Sequence, residues 1–573
     1  MPIHTKTLTD LAASPRSNSY FILGMIIILS IQLLRIAWID EDAYITFRAV
    51  LNFVAGEGPV WNINDRVQVF THPLWFLLLS FLNWLGADLI TASIATSILL
   101  MLGSTLVLFR LNRNFFVILA LFALLLNSKA VMEYSTSGLE NSLSAFLVSV
   151  VCYHTLSQAS ASRLNLLLLL VTASLTLLNR LDLALLIAPA TAYYCFTHYK
   201  SKHIALIGAV AVLPLALWHV FSLVYYGFPF PNSYYAKLGT GIEKLDLIKQ
   251  GVHYYRDSLY ADPVTIPTIL ASIALPFFTK HKQLKYWAIG IILYLIYVLQ
   301  IGGDYMSGRF FMLPFFVGLF CLAKTIPGRP RIALAVIPLI FLLGLASPAP
   351  IILNDTSPKH YQDGAHGIYN ERAVWYPANG LLAPGNPTSS TAALMRQWQP
   401  APVINIVRLD AVGGMGLVLG TENHIIDIWA IVDPLLSRLP LAEGQEWHIG
   451  HFERKIPVGY IESVSNNENL ISDPKISELY QHILEITRGE LWSSERWSSI
   501  WFMNSGQYKN LTQHYASAEN SIAQRRYASI YKNSFVISML QARNEENWTL
   551  LDKLRAQAWQ ITKIQNNTER FVE

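Results

Sequence analysis

The chain has 573 residues, 53% of them hydrophobic and only 14% charged, with a formal net charge of +4. A soluble chain of this length is rarely so apolar, and a small positive excess fits membrane topology better than a nucleic-acid surface. The composition is that of an integral membrane protein.

Apolar stretches of roughly 15 to 22 residues recur from Phe21 to Leu345, close to the ~20 needed to cross a hydrocarbon core. About eleven helical spans are predicted from that length, at residues 20–38, 88–110, 114–128, 139–157, 164–178, 181–198, 204–224, 264–279, 286–301, 309–325 and 331–347. The first is long and has no small-residue cleavage site close behind it, so no cleavable signal peptide is expected. After Ala349 the sequence turns polar and mixed. Residues 1–349 are therefore expected to form a membrane bundle and residues 350–573 a domain of their own. That domain begins with strand-like runs, Val403-Ile404-Asn405-Ile406-Val407 and His424-Ile425-Ile426-Asp427-Ile428, and continues as helix. The fold class expected is mainly α, with an α+β C-terminal part.

Orientation follows from the basic loops. Arg110 and Arg113, Arg163, Lys200 and Lys202, Lys280, Lys282 and Lys285, and Lys324, Arg329 and Arg331 lie in short loops without Asp or Glu. With these and the N-terminus (Lys6, Arg16) inside, an odd number of spans puts the C-terminal region outside. Pro73 to Leu85 must then be re-entrant or interfacial. An ordinary twelfth span there is the alternative, and it would place the first polar cluster opposite the others.

Five polar clusters at span ends share the outer side in this topology. They are Asp40 to Arg48, Ser137-Gly138-Leu139-Glu140-Asn141, Asn179-Arg180-Leu181-Asp182, Pro231 to Lys237, and Gly302 to Arg309. Three acids directly after a span are costly against lipid and should face water, a cation or a pocket. A helix from Ala43 to Ala55 that stops at Gly56 would put Asp42 at its N-cap, with Glu41, Tyr44 and Arg48 on one face. The plain alternative is that Asp42 only caps and Glu41 pairs with Arg48. In the last cluster, Asp304 and Arg309 sit in glycine-rich backbone whose N–H groups can approach an anion. The Arg309 guanidinium suits two phosphate oxygens, and Lys237 is a second candidate cation; both could equally anchor span ends at head groups.

Other signals carry less. Cys152, Cys195 and Cys321 fall within spans, so no disulfide framework is expected. No internal repeat and no inverted pair of broken helices is evident. His448-Ile449-Gly450-His451 spells a nucleotide-binding signature but lacks the strand–helix unit that signature needs, and Gly413-Gly414-Met415-Gly416 reads as a strand-connecting turn.

The run Asp40 to Arg48, followed by Ala55-Gly56-Glu57-Gly58-Pro59-Val60-Trp61-Asn62 and Thr71-His72-Pro73-Leu74-Trp75, resembles the first outer loop of bacterial polyprenol-dependent arabinofuranosyltransferases. The likeness extends to Ser137-Gly138-Leu139-Glu140, Pro231 to Lys237, Gly302-Gly303-Asp304 with Gly308-Arg309-Phe310, and Ile449-Gly450-His451-Phe452. That family includes mycobacterial terminal arabinofuranosyltransferases and Gram-negative enzymes that decorate pilins. It usually shows Asp-Asp before Ala-Tyr/Phe; here Glu41 precedes Asp42, so Asp40, Glu41 and Asp42 all stay open as the catalytic acid.

The resemblance implies a GT-C architecture: a multi-pass bundle in the bacterial inner membrane, its N-terminus cytoplasmic, with a periplasmic active site and a periplasmic C-terminal domain that helps bind the acceptor. It implies a polyprenyl-phosphate sugar donor, most simply D-arabinofuranose, and a periplasmic glycan or protein acceptor, with no nucleic-acid partner. Asp42 is the first choice for the catalytic carboxylate and Arg309 and Lys237 for the donor phosphate. Arg48, His72, Glu140, Arg180, Asp182, Asn232, Tyr235 and Asp304 are expected pocket residues. No cofactor is implied, and a divalent cation is left open. A transferase of the same build using another lipid-linked sugar such as mannose, and a lipid or sugar transporter, are the alternatives. Against the transporter, the charges gather at one surface rather than at mid-span.

Overall fold

The computed structural model describes residues 15–157, 162–238, 240–353, 365–382, 406–409, 412–441, 447–513 and 515. It is mainly helical, and each of the eleven apolar stretches lies on helix for most of its length. Among the described residues three helices, Ser19–Ile36, Leu89–Leu111 and Lys282–Gln300, are long and apolar enough to cross a membrane. Counting the pairs Ser201–Ala211 with Leu213–Tyr225 and Lys244–Ala261 with Thr265–Phe278 as one span each raises this to five. Five more apolar helices, including Phe115–Asn127 and Pro330–Leu345, have 10–17 residues. At 1.5 Å per residue these fall short of the ~30 Å hydrocarbon core. Pro73–Trp84, expected not to cross, is one of them.

The chain divides into two compact units. The first comprises residues 1–38, 94–213 and 245–376. Its helices pack through small residues, as lipid-embedded bundles do. A Cβ at Gly290 would strike the Leu186 carbonyl oxygen, so two backbones meet there directly, and one at Gly344 would strike the Asn127 side-chain amide that packs against its backbone. Cys152, Cys195 and Cys321 are buried free thiols of this unit.

The second unit comprises residues 39–93, 214–244 and 377–573. Its core gathers Phe228 and Ala236 with Ile426, Ile428, Leu435, Leu436, Leu439, Tyr460, Ile476, Leu479, Ile483, Ile486 and Ile500. Two strands pair in parallel, Ile406–Leu409 with His424–Asp427, in the register Ile406 to His424. The predicted Val403 to Asn405 lie outside the described residues. The glycine cluster expected to be a turn is instead a short helix, Gly413–Val418. Close approach is the reason: a Cβ on Gly413 would strike the Glu41 carbonyl oxygen, and one on Gly416 the Trp61 ring. The helices Tyr460–Asn466, Pro474–Arg488 and Ser494–Asn504 follow.

Candidate active site

The acid cluster opens the helix Glu41–Ala55, which ends at Gly56 in the left-handed conformation, as the sequence predicts. Its start differs by two residues. Asp40, extended at φ −74° and ψ 151°, is the N-cap, and its carboxylate accepts the Asp42 N–H at 3.0 Å. Asp42 therefore does not cap the helix; it sits in the first turn. Asp40 is fully buried, whereas Glu41 and Asp42 are part-exposed. Glu41 does not pair with Arg48 either: its Oε1 accepts the Gly414 N–H at 2.8 Å. Among the described residues none donates to the Asp42 carboxylate.

Arg48 is a brace. Its guanidinium is fully buried and donates to the carbonyls of Trp61 at 2.9 Å, Gly416 at 2.5 Å, Gly420 at 2.9 Å and Asn423 at 2.7 Å. Five donors in a planar fork satisfy several loop carbonyls at once, which an ammonium cannot do. Asn232 acts similarly: its amide N–H groups donate to the carbonyls of Ala430, Ile431 and Asp433, each at 3.0 Å, and its oxygen accepts from Ser437 at 2.9 Å. The Arg438 guanidinium lies over the Tyr235 and Phe228 rings at 4.3 Å. The polar atoms of Arg48 and Asn232, and the ring face of Tyr235, are thus held by the protein rather than open to a pocket. His72 stands between two hydroxyls, with Nε2 2.8 Å from Thr46 Oγ1 and Nδ1 3.3 Å from Thr71 Oγ1. Lys237 is half-buried near the end of the helix Asn232–Leu238.

The first unit contains the other set. Glu140, Arg180, Asp182, Asp304 and Arg309, drawn from three separate clusters of the sequence, form one ion-pair network. Arg180 holds Asp182 with both branches, Nε to Oδ1 at 3.0 Å and Nη2 to Oδ2 at 2.8 Å, and donates from Nη1 to Glu140 Oε1 at 2.9 Å. Arg309 Nη2 donates to the same Glu140 oxygen at 3.2 Å, and its Nη1 lies 3.5 Å from Asp304. Glu140 is fully buried, while both guanidinia keep 13% of their side-chain surface. Three carboxylates face two guanidinia, so the network as it stands has no surplus positive charge. The glycine backbone beside it is not an anion nest. Gly302 and Gly303 donate their N–H groups to Leu299 and Val298 and close the end of the helix Lys282–Gln300.

Sequence reasoning missed Tyr294, whose hydroxyl donates to Asp182 at 3.0 Å from within an apolar helix. A lone phenol in an apolar run is an ordinary core residue, so there was little to find it by. It also missed a polar set in the second unit, where Arg488 Nε donates to Asp65 Oδ1 at 2.6 Å and His424 Nε2 lies 3.8 Å from the other Asp65 oxygen. Burial pushes His424 down to about 4, against the opposing pull of Asp65. His448 and His451 form a tight turn instead of a nucleotide site. His451 donates its N–H to the His448 carbonyl at 3.0 Å, its ring packs on Trp429, and burial together with the Lys237 charge lowers it to about 3. Among the described residues no group of three or more His, Cys, Asp or Glu side chains is arranged to hold a metal ion.

No family model matches the chain. It is similar to two curated proteins named terminal beta-(1->2)-arabinofuranosyltransferase. That of Corynebacterium glutamicum is 26% identical over 326 residues, 49% of this chain and 46% of the relative. That of Mycobacterium tuberculosis is 25% identical over 334 residues, 50% of this chain and 52% of the relative. The chain spans about half the length of the curated relatives it matches. Over that half it is arabinofuranosyltransferase-like.

Proposed function

We propose that the chain is a membrane glycosyltransferase that moves D-arabinofuranose from a polyprenyl-phosphate donor to a periplasmic glycan or protein acceptor, a pilin being one such protein. The observation that carries this is the division of labour among the three acids. Asp40 caps, Glu41 holds Gly414, and Asp42 keeps a part-exposed carboxylate without a described donor. In the proposed reaction an acceptor hydroxyl oxygen attacks the anomeric carbon and the carbon–oxygen bond to the lipid phosphate breaks. The hydroxyl proton passes to Asp42, and the polyprenyl phosphate leaves as an anion. A positioned acid/base group contributes typically ~100-fold or more to such a step.

Arg309 and Lys237 are the proposed cations for the departing phosphate. For Arg309 this involves exchanging contacts with Glu140 and Asp304 for phosphate oxygens, an exchange the partial exposure of its guanidinium allows. The names of the two relatives support the sugar and the reaction class. The apolar helices and the acid-free basic loops support an inner-membrane chain with its N-terminus inside and its C-terminal part outside. The proposal keeps about eleven crossings, with the shorter apolar helices completed by flanking residues.

The test is transfer by the purified protein from polyprenyl-phosphate arabinofuranose to a glycan or pilin acceptor. Turnover with a nucleotide sugar and no lipid-linked donor would sink the proposal. Turnover only with another lipid-linked sugar would keep the mechanism and replace the substrate.

A further inference from the structure

The helix Lys244–Ala261 of the first unit differs from the spans around it. It meets Thr265–Phe278 at a bend of 107°. A helix turned through about a right angle from a spanning helix lies along the membrane surface rather than through it. In the proposed topology this bend is on the outer side, because the basic loop of Lys280, Lys282 and Lys285 follows the 264–279 span. Past its first residue, the exposed side chains of the helix fall in one stripe: Leu245, Lys249, Val252, Arg256 and Leu259, with Tyr260 beside them. Apolar residues interleaved with cations on one exposed face are the pattern of a helix resting among lipid head groups.

Between this helix and Lys282–Gln300 runs a groove of about 390 Å³. Its walls are aliphatic, Val252 and Leu259 on one side and Leu295, Ile296 and Leu299 on the other, and Arg256 is the one charged residue that lines it. The groove is preformed. A Cβ on Gly251 would strike the Leu299 carbonyl oxygen, so the two helices are in backbone contact, and the Tyr255 hydroxyl donates to the Leu295 carbonyl at 2.8 Å. It is also open: Val252, Leu259 and Ile296 of its walls, and Leu293 on the same helix as Ile296, are exposed. An apolar groove fixed on folding and within the usual ~300–1,000 Å³ of ligand sites asks no ordering of the protein when it is filled.

Charge selects the occupant. Arg256 is exposed and makes no ion pair among the described residues. The two acids of the helix are engaged elsewhere, Asp246 with Lys249 at 2.8 Å and Asp257 with the Ser307 hydroxyl at 2.6 Å. A guanidinium at the edge of an aliphatic groove, on a helix among head groups, matches a molecule with an anion at one end and a hydrocarbon chain at the other. We infer that this groove seats an anionic phospholipid of the outer leaflet, with its phosphate on Arg256 and one acyl chain between the helices. Hydrocarbon gains little on leaving the bilayer for an equally apolar groove, so selectivity rests on the Arg256 contact, whose fork suits two phosphate oxygens. The lipid-linked donor is a different occupant. Tyr254, whose hydroxyl donates to the Met306 carbonyl, faces the loop that carries Arg309, and Arg256 is two residues on, about 200° around the helix. An anion on Arg256 is therefore held away from Arg309.

The test is lipid binding to the full, detergent-solubilised protein, read by native mass spectrometry. The probes are phosphatidylglycerol and phosphatidylcholine with the same acyl chains, and polyprenyl phosphate as competitor. Phosphatidylglycerol is expected to bind about tenfold more tightly than phosphatidylcholine, and Arg256→Ala to remove that preference, since one hydrogen bond to a charged group has about that effect. Val252→Trp, which fills the groove from an exposed position, should weaken both lipids. Added phosphatidylglycerol should raise the thermal midpoint of the wild type and leave that of Arg256→Ala unchanged, because a ligand of the folded form stabilises it. The same unfolding curves show whether each variant keeps its fold. Equal binding of the two lipids to the wild type, or an undiminished preference in Arg256→Ala, would overturn the inference. Displacement of phosphatidylglycerol by equimolar polyprenyl phosphate would also overturn it, by giving the groove to the donor. None of these readouts needs turnover: a wild type that keeps the lipid preference but transfers no sugar would count against the proposed reaction alone.

Discussion

The carboxylate of Asp40 accepts the main-chain N–H of Asp42 at 3.0 Å, so two acids that stand almost side by side in sequence have different work. One is buried and closes a helix; the other is part-exposed in the first turn. A negative charge in a first turn is also favoured by the helix dipole.

Asp42→Asn is expected to insert and express normally while transfer falls ~100-fold or more. Asp40→Ala is expected to cost about 1 kcal/mol of stability through the lost cap, and Asp40→Asn much less, because an amide oxygen can still accept the N–H. Transfer rates and thermal midpoints measured on all three variants check this. A larger transfer loss in Asp40→Asn than in Asp42→Asn would move the chemistry to the cap residue.

Arg309→Lys keeps the charge but loses the fork that reaches Glu140 and Asp304, and turnover is expected to drop about tenfold, the scale of one charge-assisted hydrogen bond. Glu140→Ala should destabilise the first unit by about 3–5 kcal/mol, since two guanidinia then lose a shared buried partner. Wild-type turnover in Arg309→Lys would make Arg309 a purely structural residue of the network.

Arg48→Lys is expected to destabilise the second unit by about 3 kcal/mol, because one ammonium lacks the planar fork that reaches the carbonyls of Trp61, Gly416, Gly420 and Asn423 together. Denaturation of the purified variant measures the loss. A change under ~0.5 kcal/mol, the range of an ordinary surface substitution, would contradict the bracing role.

His424 gives the pH dependence a sign. Burial lowers it from 6.5 to about 4, so between those values the unfolded chain takes up a proton that the folded chain refuses. Stability from this group is present above 6.5 and is lost as pH falls toward 4, by up to about 1.4 kcal/mol per unit. Asp427 and Asp433, pushed up to about 7 by burial, act oppositely and lower stability as pH rises from about 4 to 7. The contribution of His424 is therefore read as a difference: between pH 7 and 5, wild type should lose more stability than His424→Gln. Equal losses would show that His424 titrates normally in the fold.

Reporter fusions after Lys202 or Lys285 should read cytoplasmic and one after Tyr255 periplasmic, following the acid-free basic loops. A reversed pattern would remove the shared outer surface from the proposal.

Much of this protein follows from its sequence alone. Hydrophobicity sustained over turn after turn is a local property, so the apolar stretches from 20–38 to 331–347 all became helix, and Gly56 stopped the helix after the acids because only glycine enters the left-handed region without strain. The convergence of Glu140, Arg180, Asp182, Asp304 and Arg309 was foreshadowed by charged residues placed at the ends of spans, where only partners or water can satisfy them. What those charges hold was decided by tertiary structure. Arg48 and Glu41 are spaced to pair along one helix, yet each finds a better partner in main-chain groups of residues 413–423, nearly four hundred positions away in sequence. The same holds for Asn232. A buried backbone carbonyl is an obligatory acceptor that no side-chain pattern records, and only the folded chain determines which guanidinium or amide reaches it.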